Sequence, residues 1–204
     1  MASKVKVTVN QAGLSKEIKS KIHLDKSLNK EVENQGRNNF EKIKRDFMSE
    51  FLSHSVTKAI QGSGSSFGLV SYGDLRSFIG FSPGENPITP IESILQSRLF
   101  IKHVNFNRRG VAKFFINVPS EEEIVEASPM PWAGGISWAK GIENGIPNFG
   151  KYLNRQGLTT SRSGEGIQVK NDIRKSKFTP RPYIFKMLQK YLKIFSKAGF
   201  LLNQ

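Results

Sequence analysis

The chain contains no cysteine. It therefore has neither a disulfide framework nor a thiolate metal site, which fits a reducing compartment. Histidine is almost as scarce. His23, His54 and His103 stand in separate segments, and no pair has metal-ligand spacing. No apolar run approaches the roughly 20 residues needed to cross a bilayer. The opening Met1-Ala2-Ser3-Lys4-Val5-Lys6 also lacks the apolar stretch of a signal peptide. The expectation is a soluble chain made in the cytoplasm, with no membrane partner. Catalytic signatures are missing as well. There is no His-Glu-x-x-His and no Gly-x-Ser-x-Gly, and the glycine-rich string Gly62 to Gly68 lacks the Lys-Ser/Thr ending of a phosphate loop. Glu143 is a lone carboxylate in a glycine-flanked turn, and a general acid without a partner is weak evidence for catalysis. No enzyme, no cofactor and no metal is expected. Zinc fingers, aromatic RNA-binding signatures and Gly-x-x-Gly clamps are likewise missing.

What is present is a foldable and strongly basic composition. Of 204 residues, 37% are hydrophobic and fifteen are phenylalanine, enough for a real core and a single domain over residues 1–204. The net charge is +14, and it is unevenly spread. Residues 121–150 carry one basic against five acidic side chains, whereas residues 151–204 carry twelve basic against two acidic. Such a field favours a polyanion or an acidic protein neighbour. A generically basic surface is the plainer alternative.

Periodicity predicts an α+β fold, a mostly antiparallel sheet packed by a long N-terminal helix and a C-terminal helix. Val5, Val7 and Val9 alternate with polar residues, so residues 1–26 read as a strand and a short helix capped by Ser15. A helix over residues 27–61 follows, its apolar stripe running through Leu28, Val32, Phe40, Ile43, Phe47, Phe51, Leu52, Val56 and Ile60. Gly36 is a candidate interruption. That stripe is most simply a core face. Phe78-Ile79-Gly80-Phe81 reads as an apolar knot between turns, and Pro90 falls in the first turn of a short helix. Residues 99–118 form a hairpin around Asn107-Arg108-Arg109-Gly110, with Phe100, Val104 and Phe106 on one face and Phe114, Ile116 and Val118 on another. Ser120 with Glu123 makes a capping box. Residues 154–166 read as a mobile loop, and Ile167 to Lys170 as a last strand. Residues 182–198 form a basic amphipathic helix, striped by Ile184, Met187, Leu188, Tyr191, Leu192 and Phe195. Its apolar face suits the core, a membrane surface or a partner's groove, and the core is the ordinary choice.

The most informative stretch is Pro131 to Ile167. It holds both tryptophans, Trp132 and Trp138, among recurring glycines, and no nucleophile–base pair. Large rigid aromatics beside glycines build shaped contact surfaces, which suits assembly better than catalysis. The ordered motifs Gly73-Asp74-Leu75-Arg76-Ser77-Phe78-Ile79-Gly80-Phe81, Asn86-Pro87-Ile88, Pro131-Trp132, Ser137-Trp138, Gly141-Ile142-Glu143-Asn144-Gly145-Ile146 and Ser161-Arg162-Ser163-Gly164-Glu165-Gly166-Ile167-Gln168 resemble the neck or tail-completion proteins of contractile-tailed bacteriophages. The resemblance spans roughly residues 65 to 195. It implies a noncatalytic virion subunit forming a ring at the head–tail junction, around the channel through which DNA passes. The implied partners are further copies of the chain and neighbouring neck or tail proteins, with nonspecific contact to DNA. Trp132, Trp138, Glu143, Arg162, Gly164 and Gly166 are the expected subunit-interface residues. Arg155, Arg162, Lys170, Arg174 and Lys175 are expected to face DNA or an acidic ring. A basic nucleic-acid-binding protein, a tail terminator and a baseplate subunit are the alternative readings.

Overall fold

The computed structural model describes Gly13, Ser15 and residues 25–63, 75–82, 84–107, 111–131, 133–144, 153–154, 167–168 and 180–202. The predicted strand at Val5 to Val9 lies outside them. Gly13 and Ser15 are both helical, so Ser15 does not have the non-helical backbone expected of a cap.

Helix α1 spans Lys26–Ser53 and begins where the Asp25 carboxylate accepts from the backbone N–H groups of Ser27 (2.8 Å) and Leu28 (3.2 Å). Phe40, Ile43, Phe47 and Phe51 are buried along one face, as the stripe predicts. Leu28 and Val32 are not: they are 45% and 40% exposed on the first turns. Gly36 does not interrupt the helix. The ring of Phe114 occupies the place of its missing side chain, and a Cβ there would stand 2.0 Å from Phe114 Cζ. The interruption comes at His54 instead. Its extended backbone (φ −61°, ψ 139°) ends α1, and its Nδ1 accepts from Val56 N–H at 3.3 Å to open α2, Ser55–Ile60. The predicted single helix over 27–61 is therefore two.

Helices α3 (Leu75–Ile79) and α4 (Ile88–Arg98) follow, with Ile79 and Phe81 buried and Pro90 in the first turn of α4. Lys44 of α1 donates to the carbonyls of Gln96 and Leu99, both at 2.8 Å, and so supplies cationic partners to the end of α4. Strands β1 (Phe100–Phe106) and β2 (Ala112–Asn117) form the expected antiparallel hairpin. A register shift between Ile101 and His103 turns the strand over. Phe100 consequently leaves the face it was expected to share with Val104 and is 42% exposed. Phe114 and Ile116 point into the core.

Helix α5 (Glu121–Glu126) carries the predicted capping box of Ser120 and Glu123. Strands β3 (Pro129–Met130) and β4 (Ala133–Ser137) pair antiparallel and lead directly into α6, Trp138–Asn144. Strands β5 (Leu153–Asn154) and β6 (Ile167–Gln168) pair antiparallel. Helix α7 covers Ile184–Lys197 and is followed by β7, Phe200–Leu202, which pairs parallel with β2. The principal sheet thus has the order β1-β2-β7.

The fold is α+β, with mostly antiparallel pairing and the two long helices packed on the sheet. Ring contacts Phe47–Tyr191 (5.0 Å) and Phe40–Phe195 (5.2 Å) show α1 and α7 running antiparallel. Phe200 ties both to the sheet, lying 5.7 Å from Phe40, 5.7 Å from Phe195 and 5.6 Å from Phe114. The buried hydrophobic residues form one cluster from Phe40 to Phe200.

Candidate functional site

The Trp-bearing segment folds against the start of α7, and backbone groups determine how. Trp138 N–H donates to Ser128 O at 2.8 Å. Beneath it, the buried hydroxyls of Ser128 and Ser137 lie 2.6 Å apart, and Ser128 also donates to Ile124 O at 2.7 Å. Ser137 Oγ accepts from Lys140 N–H at 3.1 Å, capping α6. Each buried hydroxyl is thereby satisfied, and β4 is locked to α5. The indole of Trp138 then enters the core, packing edge-on to Phe81 at 6.2 Å and tilted against Tyr183 at 6.1 Å.

Trp138 is 1% exposed. Within one chain its surface is therefore covered almost completely, with its remaining edge at the cleft described below. Glu143 has a different and unforeseen task. Its Oε1 accepts from the backbone N–H groups of Tyr183 (2.9 Å), Phe185 (2.7 Å) and Lys186 (3.1 Å). Those are the unpaired donors at the N-terminus of α7, where the capping position is occupied by Tyr183 and receives no side-chain cap of its own. A carboxylate on one helix thus caps another some forty residues away, and the dipole of α7 favours its charge. Arg181 N–H donates to Ile142 O at 2.8 Å and fastens the same junction. Glu143 therefore acts structurally inside the subunit. The only local sign of this was a glutamate near the end of one short helix and Pro182 ahead of another. Trp132, Arg155, Arg162, Gly164, Gly166, Lys170, Arg174 and Lys175 lie outside the described residues.

Beside this junction is a cleft of about 520 Å³, bordered by Phe81, Pro87, Pro90, Pro129, Met130 and Trp138 among others. Its polar groups are engaged locally: Glu85 Oε2 accepts from Ser82 N–H at 2.9 Å, and Asn86 Oδ1 accepts from Ile88 N–H at 3.3 Å. Proline and aromatic walls of this kind suit an apolar side chain. No local sequence pattern marks the cleft, because its walls come from segments about fifty residues apart.

A polar cluster lies where α1, α2 and α7 meet. Glu50 receives Lys190 Nζ at 2.6 Å and Tyr191 O–H at 2.9 Å. The hydrogen bond from Lys190 is the main cause of a lowered Glu50 pKa, opposed by partial burial and aided by Tyr191. Burial lowers the pKa of His54, and the nearby Glu50 charge partly offsets this. Burial raises the pKa of both Tyr183 and Tyr191. Tyr183 Oη and Thr57 Oγ1 share a buried hydrogen bond at 2.9 Å. Every one of these groups has a structural partner, and among the described residues no group of three His, Asp or Glu side chains is placed to hold a metal ion. No helix among the described residues is long and apolar enough to cross a membrane.

No protein-family model, curated protein or solved structure matches the chain.

Proposed function

We propose that this chain is a noncatalytic assembly subunit which builds a ring, a neck or tail-completion protein of a contractile-tailed phage virion. The observation that carries the assembly reading is the presence of two unlike apolar surfaces. One is the concave cleft beside Trp138, at the N-terminal end of α7. The other is a set of protruding side chains near the opposite end. Leu201 and Leu202, on the strand that follows α7, are 40% and 49% exposed. Leu28 and Val32 lie on α1 about 12–18 Å beyond the Phe40–Phe195 crossing, at 1.5 Å per residue.

A closed ring needs a heterologous contact, in which one patch of a subunit meets a different patch on the next. A hollow at one end and exposed apolar side chains at the other offer such a pair. The head–tail address rests on the sequence resemblance. The test is electron microscopy of particles produced without this chain, complemented either by the wild type or by Leu28→Glu/Leu202→Glu. Filled heads beside separate tails, or tails of wrong length, are expected without the chain and with the variant. Normally joined virions in its absence would overturn the reading.

A further inference from the structure

The apolar face of α7 is consumed by the core, and this decides what its other face can do. Ile184, Met187, Leu188, Tyr191 and Phe195 are buried. The helix cannot dip into a lipid surface or fill a hydrophobic groove without leaving the core. What remains outside is charge. Lys186, Lys190, Lys193 and Lys197 are all exposed, and the helix contains no acidic residue. At 100° per residue these four lysines fall within an arc of about 60°, in a line about 16 Å long.

Acidic neighbours reach this line from α1. Glu50 binds Lys190, and Asp46 acts on the adjacent Tyr191. Among the described residues Lys186, Lys193 and Lys197 form no ion pair. Ammonium groups donate only, so the face offers donors in a row and few acceptors. That matches a line of phosphates, which offer acceptors alone. A line of this length reaches a few successive phosphates of one strand.

We propose that the exposed face of α7 binds the sugar–phosphate backbone of nucleic acid, independently of base sequence. The inference does not rest on ring assembly, because it concerns a surface complete within one chain. It also locates backbone contact on a helix outside the basic segment of residues 155–175.

The test is fluorescence anisotropy of the purified full chain with a labelled duplex of about 30 base pairs, titrated across roughly 50–300 mM salt. Three proteins are compared: wild type, Lys186→Gln/Lys193→Gln/Lys197→Gln, and the control Lys30→Gln/Lys58→Gln/Lys102→Gln. Lys190 is retained so that its bond to Glu50 is undisturbed. The control removes equal charge from α1, α2 and β1, at exposed residues that form no ion pair among the described ones. The stripe variant is expected to lose at least about tenfold in affinity near 100 mM salt, with the slope of log K against log salt shallower by about 2–3. The control should stay close to wild type. Equal losses in both variants would overturn the proposal, as would a stripe variant that binds like wild type or a wild type that does not bind. Displacement of the duplex by polyglutamate at matching charge concentration would instead assign the face to an acidic protein.

Discussion

Replacing Glu143 by alanine should loosen α7 from the rest of the molecule. The carboxylate oxygen serves three backbone donors, and the three do not suffer equally from its loss. Tyr183 is buried, so water cannot take over its N–H group. Phe185 is half-buried and Lys186 exposed, so their N–H groups rehydrate in part or fully. An unsatisfied buried donor costs about 1–3 kcal/mol. Loss of a helix cap costs about 0.5–2 kcal/mol, and the two effects overlap. The expected loss is about 2–3 kcal/mol, a large fraction of the stability of a domain this size. Glu143→Gln keeps an acceptor oxygen and forfeits only the charge at the helix N-terminus, so it should cost about 1 kcal/mol or less. Urea unfolding followed by circular dichroism reads both, with the midpoint shifted and the denaturant slope unchanged. An alanine variant within about 0.5 kcal/mol of wild type would refute the capping role.

Two further outcomes follow from the packing and the electrostatics. Gly36→Ala raises helix propensity by about 1 kcal/mol in an open helix. Here the new Cβ would stand 2.0 Å from Phe114 Cζ, and that ring is held by Phe200. Overpacking should therefore prevail, at a net loss of about 1–3 kcal/mol by thermal unfolding; a higher melting temperature would show that the ring yields. For His54, burial holds the folded-state pKa below the ordinary 6.5, so the folded chain binds this proton less readily than the unfolded one. Its contribution is complete above about pH 6.5 and declines as pH falls below it. His54→Asn preserves a side-chain acceptor for Val56 N–H and does not titrate, so it should lose less stability than wild type between about pH 7.5 and 5.5. Identical losses would remove His54 from the account.

Local chemistry made much of this architecture legible. The 3.6-residue recurrence of Phe40, Ile43, Phe47 and Phe51 specifies a helix and its buried face. Alternation over β1 and β2 specifies a hairpin, and Ser120 with Glu123 starts a helix wherever the chain goes next. Each is a relation among residues close in sequence, so the chain carries it before folding. Tertiary structure decided the rest. A glycine inside α1 became a notch because a distant phenylalanine lies there, and His54 ended the helix because its imidazole caps the next. Trp138 became a core residue because Phe81 and Tyr183, both distant in sequence, closed over it. Phe200 to Leu202 became a strand only because β2 offered an unpaired edge. Glu143 became a cap only because the donors of α7 arrive forty residues later. These outcomes depend on which surfaces meet when one core closes, and that pairing is a property of the whole chain rather than of any window along it.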